Sequence, residues 1–94
     1  MHRRQEAQSL REVLLQLARA RGGAGAETPV ARLVTELASP WVDACHRDKF
    51  GNLWLIRKPR REASGPRIML AAHMDEIGWL VSGIENGGFL RLRP

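Results

Sequence analysis

Cysteine occurs once in the 94 residues of the chain, at Cys45. An internal disulfide is therefore excluded. The lack of any Cys-x-x-Cys pair or Cys/His cluster at zinc-finger spacing excludes a structural zinc site of that kind. This usage fits a reducing compartment, and the expected location is the cytoplasm. Long apolar runs are missing as well, since no stretch of about 18 apolar residues exists to span a bilayer. The N-terminus is basic at His2-Arg3-Arg4 but continues into polar, amphipathic sequence, without the apolar core and small-residue cleavage site of a secretory signal. A membrane partner is not expected. Acidic residues are the minority, ten against fifteen Lys and Arg, giving a formal charge of +5 and raising nucleic acid as a partner. The densest basic run is Arg57, Lys58, Arg60 and Arg61, around Pro59 and next to Ser64-Gly65-Pro66. Neither a recognition helix nor a set of stacking aromatics accompanies it, so it reads as a solvated loop between strands and no nucleic-acid partner is expected.

With 44% hydrophobic and 27% charged residues, the chain has the composition of a soluble globular segment, one small domain or part of a larger one. A chain of this size buries only roughly 60 to 65% of the surface that its unfolded form exposes, so a core missing a partner segment would be marginal. Its elements follow from periodicity. Gln5 to Ala20 reads as an amphipathic helix, with Ala7, Leu10, Leu14, Leu17 and Ala18 on one stripe, stopped by Gly22-Gly23. A second helix starts with Thr28 as N-cap and Pro29 at its first position, with Val30, Leu33, Val34 and Leu37 on one face, and ends at Ser39-Pro40. From Val42 to Arg47 the period is two. A turn over Asp48-Lys49-Phe50-Gly51-Asn52 and a returning strand from Leu53 to Lys58 follow. Arg67-Ile68-Met69-Leu70-Ala71-Ala72 is an apolar run without alternation, the pattern of a strand covered on both faces, and is expected to be the most buried strand. Ile77 to Ile84, Asn86-Gly87 and Phe89 to Arg93 make a hairpin signal.

In open α/β sheets chemistry sits outside the carboxyl ends of strands, and the polar residues at that place here are His73, Asp75 and Glu76. Residues two apart project to the same side, so Asp75 can reach the His73 imidazole. A carboxylate that accepts the spare ring N–H fixes the tautomer of a ligating histidine and strengthens it as a donor to metal. His73-x-Asp75 is thus a coherent metal half-site, although three residues of spacing alone are weakly specific. Gly22 to Gly25 follows a helix and so is not read as a phosphate loop. Cys45, mid-strand and without a general base at recognisable spacing, reads as packing. His46 and His2 read as structural or solvated, and Trp41, Trp54 and Trp79 as core or interface aromatics.

Ala71-Ala72-His73-Met74-Asp75-Glu76-Ile77-Gly78 closely resembles the signature of peptidase family M-forty-two, the glutamyl and tetrahedral aminopeptidases and relatives often called endoglucanase or cellulase M. The likeness extends over nearly the whole chain. The opening helix, the small-residue turn ending in Glu27, the Asp-x-x-Gly-Asn hairpin at Asp48 to Asn52 and the closing Asn86-Gly87-Gly88-Phe89-Leu90-Arg91 strand fall in family order. Gly22-Gly23-Ala24-Gly25-Ala26-Glu27 departs from the family's Pro-Gly-x-Ser-Gly-x-Glu turn by lacking its proline and serine.

The resemblance implies an α/β fold: the start of an aminopeptidase-type mixed sheet flanked by helices, followed by the first hairpin of a β-rich dimerisation domain. Residues 1–75 would be the N-terminal part of the metallopeptidase catalytic domain, and 76–94 the truncated start of that inserted domain. It implies that His73 is a metal ligand and Asp75 the carboxylate of the catalytic site that orients it; Glu76 receives no catalytic role. It further implies two divalent metal ions, zinc or cobalt, short peptide substrates cleaved at the N-terminal residue, and a homo-oligomer. The other ligands and the general base are not in this chain, which by itself is expected to be inactive. The rival readings are a non-catalytic binding or assembly piece, a small basic nucleic-acid binder, and a glycosidase, which would need a carboxylate pair that is not evident.

Overall fold

A computed structural model describes residues 8–61 and 65–94. The expectations at His2, at Gln5 to Ala7 and at Ser64 lie outside the described residues.

Helix α1 spans Leu10–Arg19. It begins later than the apolar stripe suggests, because Ser9 and Glu12 form a capping box. The Glu12 N–H donates to Ser9 Oγ (3.3 Å), and the Ser9 N–H donates to Glu12 Oε2 (2.8 Å). That second bond, with the first, holds the Glu12 carboxyl below its ordinary value. A serine cap of this kind is worth about 1 kcal/mol to a helix. Helix α2 spans Thr28–Ala38, one residue ahead of the expected cap: Glu27 takes the N-cap position and Pro29 lies in the first turn. A short 3-10 turn, Ser39–Trp41, ends it.

Strands β1 (Ala44–Arg47) and β2 (Leu53–Ile56) pair antiparallel in the register Ala44 to Ile56 through Arg47 to Leu53. The intervening turn is the one expected, Asp48 to Asn52, with Gly51 in the left-handed region at φ +88°. Arg47 ties this hairpin to α2 by donating to Thr28 Oγ1 at 3.0 Å. Strands β3 (Leu80–Ile84) and β4 (Leu90–Arg93) make a second antiparallel pair, with a register shift between Val81 and Gly83. Asn86-Gly87 sits in its turn, Gly87 and Gly88 have positive φ, and Arg91 donates two bonds to Glu85 Oε1 across the turn.

The elements thus match an α/β arrangement of helices and short strands, but the strands form two separate two-stranded antiparallel sheets. The expected central strand is overturned. Arg67 to Ala72 has no strand pairing among the described residues, and Ile68 and Leu70 are 84% and 93% exposed. An apolar run of this kind becomes a buried strand only when neighbours on both edges satisfy its backbone and layers cover both faces. The described residues place none there. The tryptophans are not core either: Trp41, Trp54 and Trp79 are all exposed. Among the described residues the buried apolar ones are Val30 and Ala31, at the start of α2. A radius of gyration of 18.3 Å, against about 13 Å for a compact domain of about 100 residues, agrees with so little burial among the described residues.

The segment after the apolar run meets the turn between α1 and α2. Gly23 and Glu76 form a parallel bridge, in which the Glu76 N–H donates to the Gly22 carbonyl at 2.8 Å. It brings the residues that follow the apolar run against the α1–α2 turn.

Candidate functional site

His73 and Asp75 meet as the two-residue spacing requires. His73 Nδ1 lies 2.9 Å from Asp75 Oδ1 and 2.9 Å from the Asp75 carbonyl oxygen. A carbonyl and an ionised carboxylate can only accept, so Nδ1 carries a hydrogen, and in the neutral imidazole this leaves the lone pair on Nε2. The imidazole is 84% exposed and the Asp75 side chain 44%, so Nε2 is open to an incoming ion. The pair is one ligand with its orienting carboxylate, and among the described residues no group of three or more His, Cys, Asp or Glu stands ready around a metal.

The backbone that carries the pair is held from below. Met74 and Asp75 are half-buried, Gly22 is buried, and Glu76 contributes its N–H to the bridge while its side chain is exposed. Glu27, at the end of the small-residue turn, accepts the Gly25 N–H at Oε1 (3.0 Å), with Gly25 at φ +78°. The Glu27 carboxylate thus serves the local backbone of this turn.

Asp48 is a second, unanticipated centre. Its carboxylate accepts the Phe50 and Asn52 backbone N–H groups, the Asn52 side-chain amide and the Trp54 indole N–H, all at 2.9 to 3.0 Å. The Trp54 and Asn52 side chains foremost hold its carboxyl down to about 2. The signal for this existed, since Asp at a turn start is an acceptor for the N–H two residues on, but nothing local in the sequence announced Trp54 as a partner. His46 stacks on Trp54 across the strands, ring centroids 6.2 Å apart and planes within 8°, which gives the structural role expected of it. Cys45 is a free, half-buried thiol. The basic run borders an open cleft of about 440 Å³, with Trp41, Asp43, Arg57, Lys58 and Arg60 in its wall and neither His73 nor Asp75. Part of that run is engaged locally: the Arg57 guanidinium donates to the Trp41 carbonyl and the Lys58 N–H to Asp43. No helix among the described residues is long and apolar enough to cross a membrane.

Comparison with known proteins supplies what one histidine cannot. Residues 51–94 match the family described as M42 glutamyl aminopeptidase. A protein of Acetivibrio thermocellus, provisionally named an aminopeptidase, is 40% identical over 70 residues, 74% of this chain and 20% of its own length. The lysyl aminopeptidase of Pyrococcus furiosus is 39% identical over 62 residues, 66% of this chain and 17% of its own. The glutamyl aminopeptidase of Lactococcus lactis is 43% identical over 47 residues, 50% and 13%. No solved structure matches. The chain spans about one fifth or less of the length of these relatives.

Proposed function

Taking as premise that this chain is sequence of the M42 aminopeptidase family, we propose that it contributes one metal ligand to a metal-dependent aminopeptidase that removes N-terminal residues from short peptides. The observation that carries this reading is the His73–Asp75 contact within Ala71 to Gly78, at the end of the apolar run. The chemistry of the donor set fits a divalent ion such as zinc or cobalt: a neutral imidazole with its proton fixed on Nδ1 offers Nε2 as a nitrogen donor, and the carboxylate behind it raises its basicity. A pair of such ions would polarise the scissile carbonyl and lower the pKa of water. His73 would hold one ion at Nε2. Asp75 would keep the imidazole in its tautomer and orientation, so it is a positioning residue as well as the site's nearest carboxylate. In this reading residues 1–75 begin the catalytic domain and 76–94 open a β-rich dimerisation domain of a cytoplasmic homo-oligomer; the separate β3–β4 sheet supports that division.

Asp75→Asn tests the pairing. Asparagine can still accept the Nδ1 hydrogen but loses the negative charge that makes the imidazole a stronger donor. Metal affinity or activity of an enzyme assembled around this segment should fall on the order of 10 to 100-fold, the usual effect of changing such an outer partner. Metal titration would check it, and an unchanged dissociation constant for zinc would mean that Asp75 does not act through His73.

A further inference from the structure

We infer that Gly22 is the positioning residue of the His73–Asp75 pair, acting through the backbone of Met74 to Glu76; this rests on the metal-ligand reading of His73 for its functional meaning, but not for its test. The Gly22 carbonyl accepts the Glu76 N–H at 2.8 Å. Gly22 is buried at this contact while its neighbour Gly23 is less so. A Cβ built on Gly22 would stand 3.1 Å from Val30 Cγ1 and 3.3 Å from the Met74 carbonyl oxygen, and a Cβ on Gly23 would meet nothing within 4 Å. Gly22 is therefore pinned between two things: the buried start of α2 and the peptide group one residue after His73.

The geometry explains why a side chain would be crowded there. Gly22 has no positive φ, so its glycine identity does not answer a backbone conformation. It answers close approach, in which a Cβ would fit only if its neighbours gave way by a few tenths of an ångström. The Met74 carbonyl cannot move aside as the end of a flexible side chain could. Its displacement would carry His73 on one side and Asp75 on the other, and with them the 2.9 Å contact that fixes the Nδ1 hydrogen.

The two adjacent glycines make the experiment. In the 94-residue chain, backbone amide exchange by NMR should show the Glu76 N–H slowed by its bond to Gly22. Gly22→Ala should release it, speeding exchange on the order of fivefold, the factor set by one ordinary hydrogen bond. Gly23→Ala should leave it as in the parent chain. A second readout is the nitrogen-15 signature of the His73 ring, taken at alkaline pH where the imidazole is neutral: the Nδ1–H form should dominate in the parent chain and in Gly23→Ala, and give way toward Nε2–H in Gly22→Ala. A merely structural role at α2 would not move the ring signal. Combining Gly22→Ala with Val30→Ala removes the contact to the helix and keeps the one to Met74, so Glu76 and the His73 ring should stay released. Rescue by Val30→Ala, or parent-like Glu76 exchange in Gly22→Ala, would overturn the inference. Zinc titration of the same samples separates the two readings. Release of Glu76 and His73 without any zinc shift at His73 in the parent chain, even at zinc far above the weak affinity of a lone imidazole, would uphold Gly22 as the positioning residue and defeat the metal-ligand proposal alone.

Discussion

Aminopeptidase activity should disappear when His73 is replaced by alanine in an enzyme assembled around this segment. A suitable host is the lysyl aminopeptidase of Pyrococcus furiosus, with residues 51–94 of this chain in place of its matching stretch. The graft itself should remain active, because the matched region keeps the apolar run, the His73-x-Asp75 pair and the β3–β4 hairpin together. His73→Ala removes a nitrogen donor outright, and the loss should exceed the roughly 10 to 100-fold expected for a change behind the ligand at Asp75. Metal content measured beside the rate should drop as well, while the thermal transition of the graft stays in place. A His73→Ala graft that kept its rate and its metal would remove His73 from the site and, with it, the most specific part of the resemblance.

The second large effect lies away from the metal and concerns acid. The Asp48 carboxyl titrates near 2 when folded, below its ordinary 3.8, because Trp54 and Asn52 donate to it. A depressed carboxyl supports the folded form wherever it is ionised in both states. That support is complete above about pH 4 and is lost as pH falls through the folded value near 2. The indole N–H resonance of Trp54 should therefore hold its folded position at pH 5 and move toward that of a free indole between about pH 4 and 2. Asp48→Ala should show the free position at every pH, with the β1–β2 amides losing protection, since four acceptor bonds go with one carboxylate. An acid-insensitive Trp54 signal in the parent chain would show that the network does not hold the hairpin.

Both effects bear on what could be foreseen. The helices, the two hairpins and their turns are local: capping residues, Pro29, Gly51 and Asn86-Gly87 act on neighbours within a few residues, so their positions were legible. The start of α1 was legible too, in Ser9-x-x-Glu12, yet the apolar stripe drew the expected boundary toward Gln5. His73 and Asp75 are legible because a spacing of two puts both side chains on one side of the chain, within reach of each other. Arg67 to Ala72 shows the limit. Its composition states a requirement for cover on both faces, but cover comes from other segments, and the described residues leave Ile68 and Leu70 exposed. The Gly22–Glu76 bridge is the opposite case, a contact present in the fold with no local trace, because close approach of two backbones is specified by where each is carried.

That bridge also sets an order of events. It joins residues 54 positions apart, whereas Arg47 and Leu53, which close the first hairpin, are 6 apart. Lengthening a closed loop about ninefold costs about 2 kcal/mol more in chain entropy, which the hydrogen bond, worth about 1 kcal/mol, meets only together with the packing of buried Gly22 against Val30 and Met74. Contacts of high sequence separation form late and dissolve early. In the 94-residue chain the hairpins and α2 should thus assemble while the His73 segment is still free, and on warming the Glu76 amide should open to exchange well before those of β1 and β2; equal protection at the two places would contradict this. The half-site then behaves as a latch on a long tether, the last contact to close against the α1–α2 turn and the first to open, so that an ion held by His73 in its closed position would help to keep the segment after the apolar run against that turn.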